Sequence, residues 1–309
     1  MRLLQKLNRL RRVLGNLEKW TTDTHLGAYQ LILTQSLIDS KNKRLCDLGF
    51  KVYSQWEEDG MLLFLASSLS INKPRILEIG AGNFLESNSR FLCEYRNAAA
   101  YLVDTRDDLW AGVIQSDLQW KTHIRCDSTW ITSENALLIQ DSAKSFLGHI
   151  DILSLDIDGQ DYWVLEKLNL SAIQVIVCEY NPLFGPKVLV TVPEIPTFTR
   201  SKGTKNLFWG ASLNAFISFL DKRGFVFAGS NIVGNNAFFV RKDLGPRIEI
   251  VWPGLDDLSS QVDYLIRESI DINNDLDLLE SSKSLELILK EKVVDLTTGR
   301  IVELSTILE

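Results

Sequence analysis

Three groups of residues in this chain have the types and spacing for chemistry at the carboxyl ends of a parallel sheet. The first is the glycine turn that closes Arg75-Ile-Leu-Glu-Ile-Gly-Ala-Gly-Asn83. Gly80 and Gly82 follow an apolar run directly, and glycines there let the main chain approach a ligand closely. Glu86-Ser87-Asn88-Ser89 then has the composition to open a helix, with N–H groups aimed into a crevice. The second group is Asp104 with Thr105, ending the next apolar run. An acid roughly 20 residues beyond such a turn can accept both hydroxyls of a ribose. Asp127-Ser128, after the third run, is placed to meet an adenine amino group. The third group is Asp156, Asp158, Glu179 and Asn181, two pairs with a spacing of two, so that in extended chain each pair shares a face.

Each group narrows the ligand. A dinucleotide fingerprint needs a third glycine where Leu85 stands, which disfavours a nicotinamide cofactor. Glu78 at the strand end would repel a pyrophosphate and suits a ligand carrying positive charge. S-adenosylmethionine has a sulfonium and an ammonium and no phosphate. The four oxygen-bearing side chains of the third group suit a hard divalent cation such as Mg²⁺, which could lower the pKa of a substrate hydroxyl. Without metal, one carboxylate could serve as general base. In the structural alternative, Asp158-Gly159 is a turn and helix cap and Glu179 pairs with an arginine. His123 and His149 fall at the starts of strands, away from the crevice, and no zinc spacing, P-loop or nucleophile elbow occurs.

These residues need a framework of alternating strands and helices. Strands are predicted over 75–79, 99–103, 122–126, 150–155 and 174–178, with helices over 87–96, 133–147 and 160–168. Such alternation implies a parallel sheet covered on both faces. Ser54 has the position of an N-cap, with Glu57 as its capping-box partner, before the apolar Met61 to Leu69. Residues 181–209 break the rhythm. They hold four of the seven prolines and several aromatics, and a loop of that length is usually functional. A helix over 212–223 and an antiparallel pair over 225–228 and 237–240 close the domain.

Composition sets bounds on this reading. A chain of 309 residues with 45% hydrophobic and 24% charged residues is long enough for one large domain with additions, or for two. The net charge of −7 disfavours nucleic acid as a partner. No apolar run reaches the roughly 20 residues of a transmembrane helix, and the basic, leucine-lined segment 1–20 lacks a signal-peptide cleavage site. Cys46, Cys93, Cys126 and Cys178 are scattered, as expected of reduced cysteines in a cytoplasmic protein. Leu3, Leu4, Leu7, Leu10, Leu14 and Leu17 recur at helical spacing. Together with the acidic segment beyond residue 246, read as mainly helical with a terminal hairpin near Gly299, they suggest burial partners and a homodimer.

The segments Tyr53-Ser-Gln55, Glu58-Asp-Gly60, Glu78 to Asn83, Leu155-Asp-Ile-Asp-Gly-Gln-Asp-Tyr-Trp163, Glu179-Tyr-Asn-Pro182 and Gly234-Asn-Asn-Ala-Phe-Phe-Val-Arg241 resemble those of class I S-adenosylmethionine-dependent methyltransferases, specifically the FkbM-like group. The resemblance covers about residues 51–245 and leaves 1–50 and 246–309 as extensions. It implies a Rossmann-like α/β domain, with a seven-stranded, mostly parallel sheet whose last strand is antiparallel. It implies S-adenosylmethionine on Gly80, Gly82, Asn83 and Asp104, with Ser54 and Gln55 closing over the methionine end; on the reading of the residues themselves, Glu78, Ser87, Thr105, Asp127 and Ser128 complete the candidate cosubstrate site. Metal-dependent O-methyltransferases of similar fold place an acid after strand 4 and an acid–amide pair after strand 5. Here Asp156 or Asp158, Glu179 and Asn181 take those places, departing in the Glu and in the intervening Tyr180. The expected reaction is methyl transfer to a hydroxyl of a small molecule, a sugar or natural-product intermediate. N-methylation of an amine or amide, or a non-catalytic binding role, are the alternatives.

Overall fold

In the computed structural model the described residues are 40–200, 204–254 and 275–308, together with Ala28, 269–271 and Asn273. The leucine-lined segment 3–17, the helix read near 28–40 except for its ends, and any dimer contact drawn from them lie outside these residues.

Among the described residues ten strands form two sheets: β1 (Arg75–Ile79), β2 (Ala99–Asp104), β3 (Ile124–Ser128), β4 (Ile152–Leu155), β5 (Val175–Glu179), β6 (Val190–Thr191), β7 (Phe225–Ser230), β8 (Asn236–Arg241), β9 (Lys292–Asp295) and β10 (Arg300–Glu303). The main sheet has the order β3-β2-β1-β4-β5-β8-β7. Its first five strands are parallel, and β8 runs antiparallel to both β5 and β7. This is the Rossmann-like, seven-stranded mixed sheet expected from the sequence. Strand order reverses between β1 and β4, and in open α/β sheets that switch point opens a crevice beyond the carboxyl ends of the strands.

Both faces are covered. Helices Glu58–Ser68 and Arg90–Arg96 bury apolar side chains on one face, and Ala136–Leu147, Asp161–Lys167 and Leu213–Lys222 on the other. Glu58–Ser68 is buried from Glu58 to Ala66, so no polar stripe marks its outer side. Its start differs from expectation. Ser54 does not form a capping box with Glu57; its hydroxyl accepts from the Asp59 N–H at 3.2 Å, five residues on. Glu57 instead accepts from the Ile232 N–H.

Two parts of the fold depart further from the sequence reading. A helix over Leu109–Gln115 lies between β2 and β3, and β3 begins two residues later than predicted. The segment after Glu179 is not structureless. Val190–Thr191 pairs antiparallel with β9, and β9 pairs with β10, giving a second, three-stranded sheet. Leu183, Phe184 and Val190 pack there with Ile288, Val293 and Leu304. Among the described residues beyond 254, the chain is therefore one eight-residue helix, Ser281–Ile288, a hairpin and a short terminal helix, rather than mainly helical. Among the described residues no helix is long and apolar enough to cross a membrane.

Candidate active site

The glycine turn is dictated by crowding at the switch point. Gly80 has φ of 89°, and a Cβ there would lie 1.5 Å from the Asp156 carbonyl oxygen, because β4 ends against the turn. Gly82 also has positive φ, and its N–H donates to Asp104 Oδ2 at 2.7 Å. The other oxygen of Asp104 accepts from the Arg106 N–H at 2.9 Å. Asp104 thus joins the glycine turn to the end of β2, while its remaining lone pairs face the crevice.

Beyond these turns lies a cavity of about 670 Å³, within the range of about 300–1,000 Å³ that small-molecule sites occupy. Gln55, Glu78, Gly80, Gly82, Ser87, Asp104 and Thr105 line it on one side, and Asp156, Asp158 and Glu179 on the other. Ten residues nominated by the sequence therefore meet in one hollow.

Five others do not reach it, each for a local reason. The Ser54 hydroxyl is spent on the Trp56 carbonyl and the Asp59 N–H, and the residue is fully buried. Asn83 Oδ1 accepts from the Leu85 N–H, an Asx turn that faces its side chain away. Asp127 accepts from the Tyr101 hydroxyl and from the Thr129 hydroxyl. Ser128 donates to the Arg106 carbonyl. The wall expected from Asp127-Ser128 is built instead by Thr129, Trp130 and Ile131. Asn181 is wholly buried; its amide donates to the carbonyls of Leu207 and Trp209, both at 3.0 Å, and its oxygen caps the Leu183 N–H.

Two residues that do line the cavity are held by the protein itself. Glu78 accepts from the Ser87 hydroxyl, the Asn88 N–H, and the N–H and hydroxyl of Ser89. Burial pushes its carboxyl upward, and these donors oppose the shift. Glu78 and Ser87 thus shape the crevice floor, with Glu78 already accepting from four donors of the turn.

The acid cluster sits on a turn of unusual geometry. Asp158 has φ of 57°, a left-handed conformation that costs a non-glycine residue roughly 1–2 kcal/mol. Asp161 holds the turn by accepting from the Ile157 and Gly159 N–H groups, both at 2.9 Å. A Cβ on Gly159 would lie 2.3 Å from the Phe198 ring. Gln160 and Trp163 fasten the 192–195 stretch of the proline-rich segment through its main chain. That segment therefore roofs the cluster.

Carboxylate oxygens of Asp156, Asp158 and Glu179 lie within 4.8 Å of one another. Burial pushes the Asp156 and Glu179 carboxyls well above the ordinary range; the charges of Asp158 and Asp161 raise Asp156 further, that of Asp156 raises Glu179, and Arg200 opposes both shifts. Such a pair holds a proton more tightly than exposed carboxylates do. The sequence offered no signal for Arg200, which donates to Asp158 Oδ1 at 2.8 Å and stands 3.8 Å from Glu179 Oε1. Its guanidinium lies over the Trp209 ring, 4.2 Å from the centroid. Asn235 and Asn236, at the β7–β8 turn, also line the cavity. Asn236 Oδ1 and Glu179 Oε2 are buried acceptors without a hydrogen-bond donor, on residues directly paired across β5 and β8.

The ligand set implied for a divalent cation does not fit this arrangement. The amide oxygen of Asn181 is a cap elsewhere, and a guanidinium already lies between Asp158 and Glu179.

No family model matches the chain, and no curated protein matches it. Among solved structures it is similar to an O-methyltransferase family protein from Burkholderia thailandensis, at 9% identity over 60% of this chain and 58% of that one, with a TM-score of 0.37. The N-terminal domain of EvdMO1 with SAH bound is similar at 12% identity, over 62% of this chain and 88% of that one, TM-score 0.40. A protein of the NADB-Rossmann superfamily from Streptococcus agalactiae gives 12%, 63%, 72% and 0.35 in the same order. The chain thus spans less than two thirds of the length of the Burkholderia protein.

Proposed function

We propose that this chain is an S-adenosylmethionine-dependent methyltransferase that acts on a hydroxyl of a small molecule. One observation carries the reading: the glycine turn with its ribose-type acid and a cluster of proton-accepting carboxyls share a single cavity at the sheet's switch point. The nucleoside lies along Gly80, Gly82 and Asp104, its ribose hydroxyls donating to the open lone pairs of Asp104 and its base against Trp130 and Ile131. The methionine end points toward Gln55 and Asn88. The acceptor enters beneath the proline-rich roof, beside Asp156, Asp158 and Glu179.

The chemistry is an in-line displacement. A lone pair of the acceptor oxygen forms the new bond to the methyl carbon while the carbon–sulfur bond breaks, and its electrons neutralise the sulfonium. The acceptor proton passes to the Asp156–Glu179 pair, whose raised affinity for protons suits a base working near neutrality. Glu179 Oε2 and Asn236 Oδ1 are acceptors awaiting donors, so the acceptor molecule presents at least one O–H or N–H beside the reacting atom. Positioning supplies much of the rate, on the order of 7–11 kcal/mol in the most favourable intramolecular cases.

Calorimetry with S-adenosylhomocysteine, followed by transfer of a radiolabelled methyl group to a panel of polyols, phenols and amines, tests the proposal. Absence of cosubstrate binding would leave the fold as a non-catalytic scaffold. Labelled amines without labelled alcohols would move the reaction to nitrogen.

A further inference from the structure

The misfit of the metal ligand set has a structural origin in a chain of contacts that runs through the cluster. Asn181 holds the carbonyls of Leu207 and Trp209. Trp209, almost wholly buried, offers its ring face to the Arg200 guanidinium. Arg200 Nε donates to the Asn206 carbonyl at 3.2 Å, and Nη1 reaches Asp158 and Glu179. The amide that would coordinate a cation instead fixes the aromatic platform on which a cationic side chain rests. A planar guanidinium can stack and fork toward two carboxylates at once, which the ammonium of a lysine cannot do.

Resting on the methyltransferase reading, we infer that Arg200 is the built-in counter-cation of the acid cluster, standing where a divalent ion would sit, so that transfer by this chain needs no metal. A magnesium ion takes oxygen ligands at about 2.0–2.1 Å. An ion bridging Asp158 and Glu179 would have to share the space of Nη1, which is 2.8 Å from Asp158 and 3.8 Å from Glu179. The arginine also explains how three acids are tolerated together under a roof of aromatic side chains. It balances one charge of the cluster. Arg200 is a positioning residue here, setting where Asp158 and Glu179 present their free oxygens.

The inference is tested by Mn²⁺ titration of the full chain, followed by electron paramagnetic resonance, in wild type, Arg200→Gln, and Arg200→Gln combined with Glu179→Gln. Wild type is expected to bind no stoichiometric Mn²⁺. Arg200→Gln is expected to gain one ion with at least roughly tenfold higher affinity, and the double variant to lose it. One equivalent of Mn²⁺ on wild type, abolished by Glu179→Gln, would overturn the inference. So would a folded Arg200→Gln protein without a gained ion. Should that variant not fold, the wild-type titration decides alone, and methyl transfer undiminished by EDTA gives the second measurement. S-adenosylhomocysteine binding is scored separately, so failure of the methyltransferase reading and failure of the counter-cation are distinguished.

Discussion

Substituting Asp104 by asparagine probes the donor half of the cavity with little change in shape. The carboxylate accepts from Gly82 at 2.7 Å and Arg106 at 2.9 Å. An ionised carboxylate has about four acceptor sites, so two remain for ribose. Asparagine keeps one oxygen and places an NH₂ against either a backbone N–H or a ribose hydroxyl. The lost backbone bond is absent in free and bound protein alike, and at this half-buried position it lowers stability by about 1 kcal/mol. A lost charge-assisted bond to ribose falls on binding alone, at about 1.5–3 kcal/mol, or roughly 10- to 150-fold in affinity. Calorimetry with S-adenosylhomocysteine reads the second quantity and urea denaturation the first. A ribose-deoxygenated analogue closes the cycle: it has already forfeited the bond, so wild type and Asp104→Asn should bind it equally. Equal losses for both ligands, or wild-type affinity for the natural one, would refute the ribose assignment.

Three further outcomes are expected. Glu179→Gln should lower turnover by about 10²–10⁴-fold while leaving S-adenosylhomocysteine affinity near that of wild type; normal turnover in a radiolabel assay would remove this carboxyl from proton transfer. Gly112→Ala, in a residue that does not line the cavity, would put a Cβ 1.7 Å from the Asn83 carbonyl oxygen. It should cost about 1–3 kcal/mol of stability and weaken cosubstrate binding by displacing the glycine turn, and an unchanged urea midpoint would contradict it. Burial pushes Asp59 and Asp161 up to about 6. Their folded forms therefore keep protons that the unfolded chain loses near pH 4. The stability they contribute is complete below that pH and falls by up to about 3 kcal/mol each as pH rises through 6. Asp161→Asn should flatten its share of that decline, and stability that climbs from pH 4 to 7 would show the opposite linkage.

The strands around the crevice were legible as short apolar runs ended by a glycine or an acid, as in Ile76 to Gly80 and Ala99 to Asp104. The helix Leu109–Gln115 was not. It carries Gly112 in its middle, and Trp110 and Ile114 face outward at 45% and 51% exposure, so no apolar stripe announces it. Strand β6 is two residues long and exists only because β9, about a hundred residues later, pairs with it. Local pattern holds no record of such a partner. The glycine turn and Asp104 were readable because their spacing follows from the sheet itself. Arg200 was not, since it comes from a loop whose path is set by Gln160, Trp163 and Asn181 through main-chain hydrogen bonds.

The acids of this domain differ in what their oxygens face: donors of the scaffold in some, the cavity and its arginine in others. Asp59 takes the N–H groups of Val52, Tyr53 and Ser54 on one oxygen. Neighbouring Glu58 takes the Trp56 N–H and the amides of Asn231 and Asn236. Together they clamp the segment that carries Gln55 onto the β7–β8 turn, so two stretches separated by about 175 residues act as one fastening. Glu78 takes two main-chain N–H groups and two serine hydroxyls from its own turn, and Asp161 takes two main-chain N–H groups from its own. Asp104 is half committed. Among the described residues Glu179, like Asp59, keeps a buried oxygen with no donor, but Glu179 lines the cavity and Asp59 does not, and Asp158 meets the Arg200 guanidinium there. A carboxylate turned to donors inside the fold serves the scaffold, whereas one at the cavity facing a displaceable side chain can meet substrate. The spacing Asp-x-Asp-x-x-Asp from 156 to 161 therefore contains both kinds, and residue type alone could not tell them apart. The distinction arises only when the left-handed turn at Asp158 sends Asp161 back to the main chain and leaves Asp156 and Asp158 facing the cavity.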